Sequence, residues 1–355
     1  MDIRKKIVLM TTIALGSIAL LAGMYMHSER EMHHDNPFIR RYVTGSVERA
    51  GEMKLHNNSL YFAGTDSTKI YLGDSRAPLH VFEIDTLLKS EKHHVIQLDD
   101  DRFPFRRVVV RVVGENFYVL DGSVPVIFKG SIYDWKAKIL MKGNNHYFTQ
   151  AEVMARNEIA FKNYDLDRRE TVIGKFNFNN GLTVSYAPGL LQKQIDGLFD
   201  VEGTMRYSPK SKKFIYLYSY RNQFSVTDPN LKLLYRGNTI DTNAVANIRV
   251  SHNKDSGITQ LASATDVTNK IAVLSNNLLF VNSTIRGRYE LKSMWDTASI
   301  IDIYDIRSNT YLSSTYIYDD KKFRLRDIIV VNSNLFALVG NQLHRYTLNG
   351  HLAAY

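Results

Sequence analysis

Twenty nearly uninterrupted apolar residues, Ile7 to Met26, follow directly on Arg4, Lys5 and Lys6. At ~1.5 Å of rise per residue such a helix is ~30 Å long, the hydrocarbon thickness of a bilayer. The run carries no charge, and its polar side chains are Thr11, Thr12, Ser17 and Tyr25. A helix apolar on every side has no face to turn to water, which argues against a buried core helix. The basic stub, residues 1–6, is expected to stay cytoplasmic and the C-terminal body to lie beyond the membrane, in the periplasm of a diderm bacterium. A cleaved signal peptide needs a shorter core and a small-x-small site, which Leu20-Leu21-Ala22 matches poorly. A lipoprotein signal would need Cys where Met24 follows Leu21-Ala22-Gly23. Residues 7–26 therefore read as a retained single-pass anchor, with Ile7, Leu9, Ile13, Leu15, Ile18, Leu20, Leu21 and Met24 supplying its apolar surface. Residues 27–45, polar and mixed in charge with Pro37 as a breaker, read as a tether, and residues 46–355 as one body.

That body is long enough to bury a core without cross-links. The chain has no cysteine, so disulfides, thiolate metal sites and cysteine nucleophiles are all excluded. A net charge of +9 is scattered along the chain. It suits anionic glycans or lipid headgroups and forms no basic stripe for nucleic acid.

Behind the anchor no long stretch has helical periodicity. Short runs rich in Val, Ile, Tyr and Phe alternate with Gly, Asn, Asp and Ser, as in Ile70-Tyr71-Leu72, Phe117-Tyr118-Val119-Leu120, Phe214 to Tyr218 and Leu278 to Val281. Fully apolar runs such as Val108-Val109-Val110 imply strands covered on both faces, so the body is all-β. One pattern recurs: an aromatic, any residue, an aliphatic, then a polar turn. It occurs at Phe82 to Asp85, Tyr164 to Asp167, Phe224 to Thr227, Tyr304 to Arg307 and Tyr346 to Asn349, with a weaker copy near Phe128. Four short strands per ~40–50 residues is the period of a propeller blade.

On these residues the stretch from Glu52 to Gly350 resembles six-bladed β-propellers of the TolB-like and NHL-like kind, preceded here by one N-terminal transmembrane helix. Blades are expected near 52–98, 106–142, 146–178, 198–238, 268–318 and 324–355. Residues 239–266 fit no blade cleanly and would make a seventh if they formed one. A β-sandwich, or two stacked β domains, would use the same alternation.

Catalytic signatures are missing. There is no Gly-x-Ser-x-Gly elbow, no His-Glu-x-x-His and no Gly-rich phosphate loop. His27, His33, His34, His93 and His94 are read as surface histidines, and Asp99-Asp100-Asp101 lacks the alternation of a calcium loop. No metal and no cofactor is expected. In a propeller the loops joining second to third strands share a face with those joining successive blades, around the channel mouth. Asp74, Arg76, Asp121, Tyr220, Arg221, Asn222, Arg236, Arg286, Arg288, Tyr289 and Trp295 fall on such loops. Arginine forks suit carboxylates and phosphates, and aromatic rings stack on sugars or anchor protein partners. The expected function is a membrane-tethered, extracytoplasmic binding or scaffold module for a protein or an anionic or glycan partner. The alternative is a propeller lyase or hydrolase acting on a saccharide or lactone.

Overall fold

The computed structural model describes residues 3–32, 36–143, 145–252, 259–261, 266–320 and 323–355. Its architecture follows from runs such as Lys213–Tyr218, in which Phe214 to Tyr218 are all buried. Side chains alternate across a strand, so such a run needs cover on both faces. Phe214, Tyr216 and Tyr218 pack on one side with Met154, Ala160 and Ile173. Ile215 and Leu217 pack on the other with Ala272, Leu274 and Val281. Each four-stranded sheet is thus the filling between two others.

Six such blades succeed one another at 60–95, 109–142, 150–186, 203–238, 269–318 and 325–348, the last completed by Val47–Lys54. Within each blade the strands run antiparallel from the axis outward. Six apolar clusters fill the six junctions between successive blades, the last-to-first junction included. The first strands, Leu60–Thr65, Val109–Val113, Gln150–Ala155, Gly203–Ser208, Asn269–Ser275 and Leu325–Val331, neighbour one another in that cyclic order. The body is a six-bladed β-propeller. The described residues of 239–266 form no seventh blade: Val250–His252 and Thr259–Leu261 pair antiparallel as a separate two-stranded sheet between blades 4 and 5 in sequence.

One expectation is corrected, and one copy of the repeat falls on a different strand from the others. Glu52, Met53 and Lys54 do not open blade 1; they belong to Val47–Lys54, which pairs antiparallel with Gln342–Leu348 as the outer strand of blade 6. The Tyr164 copy of the repeat ends the second strand of blade 3, whereas Phe82, Phe128, Phe224, Tyr304 and Tyr346 lie on third strands.

The N-terminal helix, Ile3–Met32, is long and apolar enough to cross a membrane. Ile7, Leu9, Ile13, Leu15, Ile18, Leu20, Leu21 and Met24 are each more than half exposed, with no protein covering them. Thr11, Thr12 and Ser17 turn their hydroxyls back to the carbonyls of Ile7, Val8 and Ile13, at 2.9 Å, so they present little polarity to the surroundings. The helix continues past Met26, and the described residues from Asn36 onward lie against the propeller rather than swinging free.

Blades 1 and 2 approach so closely that Gly64 pairs in parallel with Val112. A Cβ on Gly64 would stand 2.0 Å from the Val112 carbonyl oxygen. Gly64→Ala is therefore expected to force the first strands apart and cost about 1–3 kcal/mol, the usual penalty of overpacking. Urea unfolding of the detergent-solubilised chain checks this: an unchanged midpoint would contradict it.

Candidate functional site

The first strands line the axis, and a cavity of ≈ 280 Å³ occupies it. All six blades contribute to its wall, mostly from the later halves of those strands, with Gly114 and Pro209 from first-to-second-strand hairpins. The cavity therefore lies toward the hairpin face of the ring. Its wall is mainly apolar, with Phe62, Val112, Val153, Leu274, Ile328 and Val330 among the lining residues. Four acidic or basic side chains interrupt it: Arg111 from blade 2, Glu152 from blade 3, Arg206 from blade 4 and Asp327 from blade 6.

These four are fixed by backbone groups of their own or the adjoining blade. Glu152 Oε1 accepts from the Tyr207 amide at 3.0 Å. Asp327 accepts from the Ile328 amide at 2.9 Å and the Phe62 amide at 3.3 Å. Arg206 Nη1 donates to the Met205 carbonyl at 2.8 Å, and Arg111 Nη1 to the carbonyls of Phe62 and Val110, both at 3.3 Å. Among the described residues no ion pair joins either arginine to either carboxylate. Burial raises the pKa of both Glu152 and Asp327; the two arginines and the amide donors oppose that shift without cancelling it.

A second cavity, ≈ 430 Å³, opens between blades 2 and 3 on the opposite, loop face, and Arg111 lines both. Arg107, Tyr147, Phe148 and Gln150 complete much of its wall beside Gly122 and Ser123.

The loop residues picked out from sequence do share that loop face, but most are engaged locally. Asp74 binds the Ser59 hydroxyl at 2.5 Å, Asn57 Nδ2 at 3.1 Å and the Arg76 amide at 2.9 Å. Asp121 takes the amides of Arg106, Arg107 and Ser123 at 2.7–2.9 Å. Burial raises the pKa of each carboxyl, but these donors more than offset it and leave both below the usual carboxylate range. Both therefore pin the loop entering their own blade. Arg221 is wholly buried: it lies 3.6 Å from the Tyr218 ring centre and donates to the Gln192 carbonyl at 2.7 Å. Asn222 ties down the 239–243 loop through Asp241 and Asn243, and Arg236 donates to the Gly189 carbonyl at 3.0 Å. Arg76 and Tyr289 are exposed, while Tyr220, Arg286, Arg288 and Trp295 are half-buried.

The blade 5 excursion that carries Arg286, Arg288, Tyr289 and Trp295 is gripped from outside by the segment expected to be a free tether. Arg40 inserts a fully covered guanidinium, forked onto Asp302 at 2.7 and 3.0 Å. The same group reaches Glu290 at 2.8 Å and Ser283 Oγ at 2.9 Å. Glu290 in turn accepts from Tyr42 (2.6 Å), the Gly287 amide (2.7 Å) and Trp295 Nε1 (3.0 Å). Tyr42 stacks on Tyr316 at 4.3 Å, and the Arg288 amide donates to the Phe38 carbonyl. Burial lowers the pKa of Arg40, yet Asp302 and Glu290 more than offset this, so it holds its proton more tightly than a free arginine. Trp295 is thus committed to a structural network and does not stand clear as a rim anchor.

His93 lies 2.9 Å from His80, and His94 lies 3.1 Å from Glu83 while stacking on Trp135. His33 and His34 lie outside the described residues. Among the described residues no group of three or more His, Asp or Glu is placed to hold a metal ion. Sequence reasoning missed Arg111, Glu152, Arg206 and Asp327. Their signal was a charge at the third or fourth residue of the first strand in blades 2, 3, 4 and 6, as in Val-Val-Arg-Val-Val.

No protein-family model matches the sequence, and no curated protein matches it. Solved structures similar in fold include a nidogen/laminin complex (10% identity, 78% of this chain and 86% of that one, TM-score 0.45). YCF48 bound to D1 peptide gives 8% identity over 88% of this chain and 100% of that one, with a TM-score of 0.47. A catalytically inactive virginiamycin B lyase from Staphylococcus aureus with quinupristin gives 10% identity over 84% and 99%, with a TM-score of 0.48.

Two outcomes are expected. Arg40→Met strands Asp302 and Glu290 without their cation and should cost about 3–5 kcal/mol, read from the denaturant midpoint; a loss under ~1 kcal/mol would contradict the network's role. Glu152→Gln should stabilise the protein near neutral pH. A carboxyl with a raised folded-state pKa favours the fold while protonated and loses that contribution as pH rises through its pKa. The gain should therefore shrink toward zero below about pH 4, the ordinary glutamate range. Unfolding of both forms across that interval measures it, and a pH-independent difference would refute the assignment.

Proposed function

We propose that this protein is a membrane-anchored binding module whose propeller works beyond the membrane and engages its partner around the central axis. The observation that carries this reading is the contrast between rim and axis. Asp74 and Asp121 are saturated by their own loops and approach neither each other nor a histidine, so they offer no acid–base pair for hydrolysis or elimination. The axial cavity, by contrast, keeps two guanidinium groups and two carboxyls facing shared space with no ion pair between them. That arrangement suits recognition.

The uncovered apolar helix supports retention in a bilayer, and the basic residues before it favour a body on the far side. The partner is a protein or an anionic or glycan surface; Arg76, Arg288 and Tyr289 would meet it on the loop face, at the opposite end of the axis from the four charged residues of the cavity. Two measurements test the reading. Charged replacements across Ile13 to Leu21 should release the protein from membranes at alkaline pH; unchanged partitioning removes the anchor. Changing both Arg76 and Arg288 to Ala should reduce partner recovery from solubilised membranes at least several-fold while the unfolding midpoint holds; undiminished recovery removes the rim.

A further inference from the structure

We infer that the axial cavity is a site for a small zwitterionic ligand, an α-amino acid or similar molecule carrying a carboxylate, an ammonium group and an aliphatic side chain. This rests on the reading of the axis as a binding site and adds the chemistry of what enters it.

The unused hydrogen-bonding capacity of Arg111, Glu152 and Arg206 points there; both oxygens of Asp327 already accept backbone amides. Arg206 spends one nitrogen on the Met205 carbonyl, and its Nε and Nη2 have no acceptor among the described residues. Arg111 likewise hydrogen-bonds only through Nη1 among the described residues, with its guanidinium 5.8 Å from the Tyr61 ring centre. Each arginine therefore presents one edge of its planar fork, the geometry that receives a carboxylate. Glu152 spends Oε1 on the Tyr207 amide, and its Oε2 has no donor among the described residues. In ring order Glu152 stands between the two arginines, while Asp327 stands on blade 6, separated from blade 2 by blade 1.

A cavity with both signs unpaired is matched best by a ligand with both signs. A plain anion would meet the arginine forks but would bring its charge toward Glu152 and Asp327, and a plain cation would suffer the converse. A zwitterion satisfies the forks and the carboxylate oxygen together, leaving no buried charge unanswered. The remaining wall, including Val112, Val153, Leu274, Ile328 and Val330, suits an aliphatic side chain. A volume of ≈ 280 Å³ equals roughly nine waters at about 30 Å³ each, which is ample for one amino acid.

The test is isothermal titration of the full-length, detergent-solubilised protein with L-leucine, N-acetyl-leucine and leucinamide. Leucine should bind at least about tenfold tighter than either blocked form, a difference of one desolvated charge contact. Arg206→Gln should weaken leucine about tenfold or more. Glu152→Gln, nearly isosteric, should narrow the preference of leucine over N-acetyl-leucine, with an unfolding curve confirming that each variant is folded. Equal or tighter binding of N-acetyl-leucine would overturn the inference in favour of a simple anion site. Absence of binding by all three would overturn it as well. Partner recovery from membranes that persists in either case would leave the docking function standing and isolate the failure to the axial ligand.

Discussion

Every blade of this protein is apolar on both faces, and the rest of the structure follows from that. A sheet buried on one side can end a stack, whereas a sheet that must be buried on both sides cannot. Stacking such sheets leaves a bare face at each end unless the stack bends round and meets itself. The six junction clusters show that it does. Closure is made with strand pairing as well as packing, because Val47–Lys54 crosses from the start of the chain to become the outer strand of the last blade. The two ends of the body are thereby fastened together, and the axis acquires a wall drawn from every blade.

Much of this was legible in the sequence because two-faced burial is written locally. Phe214 to Tyr218 and Leu278 to Val281 are buried on both sides, as their unbroken apolarity implies. Phe82, Phe224, Tyr304 and Tyr346 mark third strands, and the interval from Tyr304 to Tyr346 matches one blade, whereas residues 239–266 stretch the interval from Phe224 to Tyr304. Tyr164 misled because its local pattern is the same on a second strand. The closing strand was not legible: Val-Glu-Arg-Ala-Gly-Glu-Met-Lys has mixed polarity, as an outer edge requires, and its partner lies about 300 residues away in sequence. The axial residues were hidden for a related reason. Arg111, Glu152, Arg206 and Asp327 are single charges on separate strands, and only the closed ring brings them to one space.

The rim shows why residue type in a loop is weak evidence of a ligand. A carboxylate that can receive a ligand's hydrogen-bond donors can equally receive three backbone amides from its own loop and the loop entering its blade, as Asp121 does. An arginine that can clasp an anion can also lie flat on a tyrosine and cap carbonyls, as Arg221 does. Position relative to the axis, and donors left unused, distinguish the two roles better than composition does.

The Arg40 network has a consequence for how the propeller is carried. Five residues separate Met32 from Phe38, a leash of at most ~20 Å even when fully drawn out. A body of this length is roughly 50 Å across. With the helix held in a bilayer, the mooring at blade 5 is too short for the ring to roll freely about its own axis. A ring of six near-equivalent blades thus acquires a front and a back: blade 5 stays nearest the helix end, blade 2 lies farthest from it, and the cavity opens on the face away from the mooring.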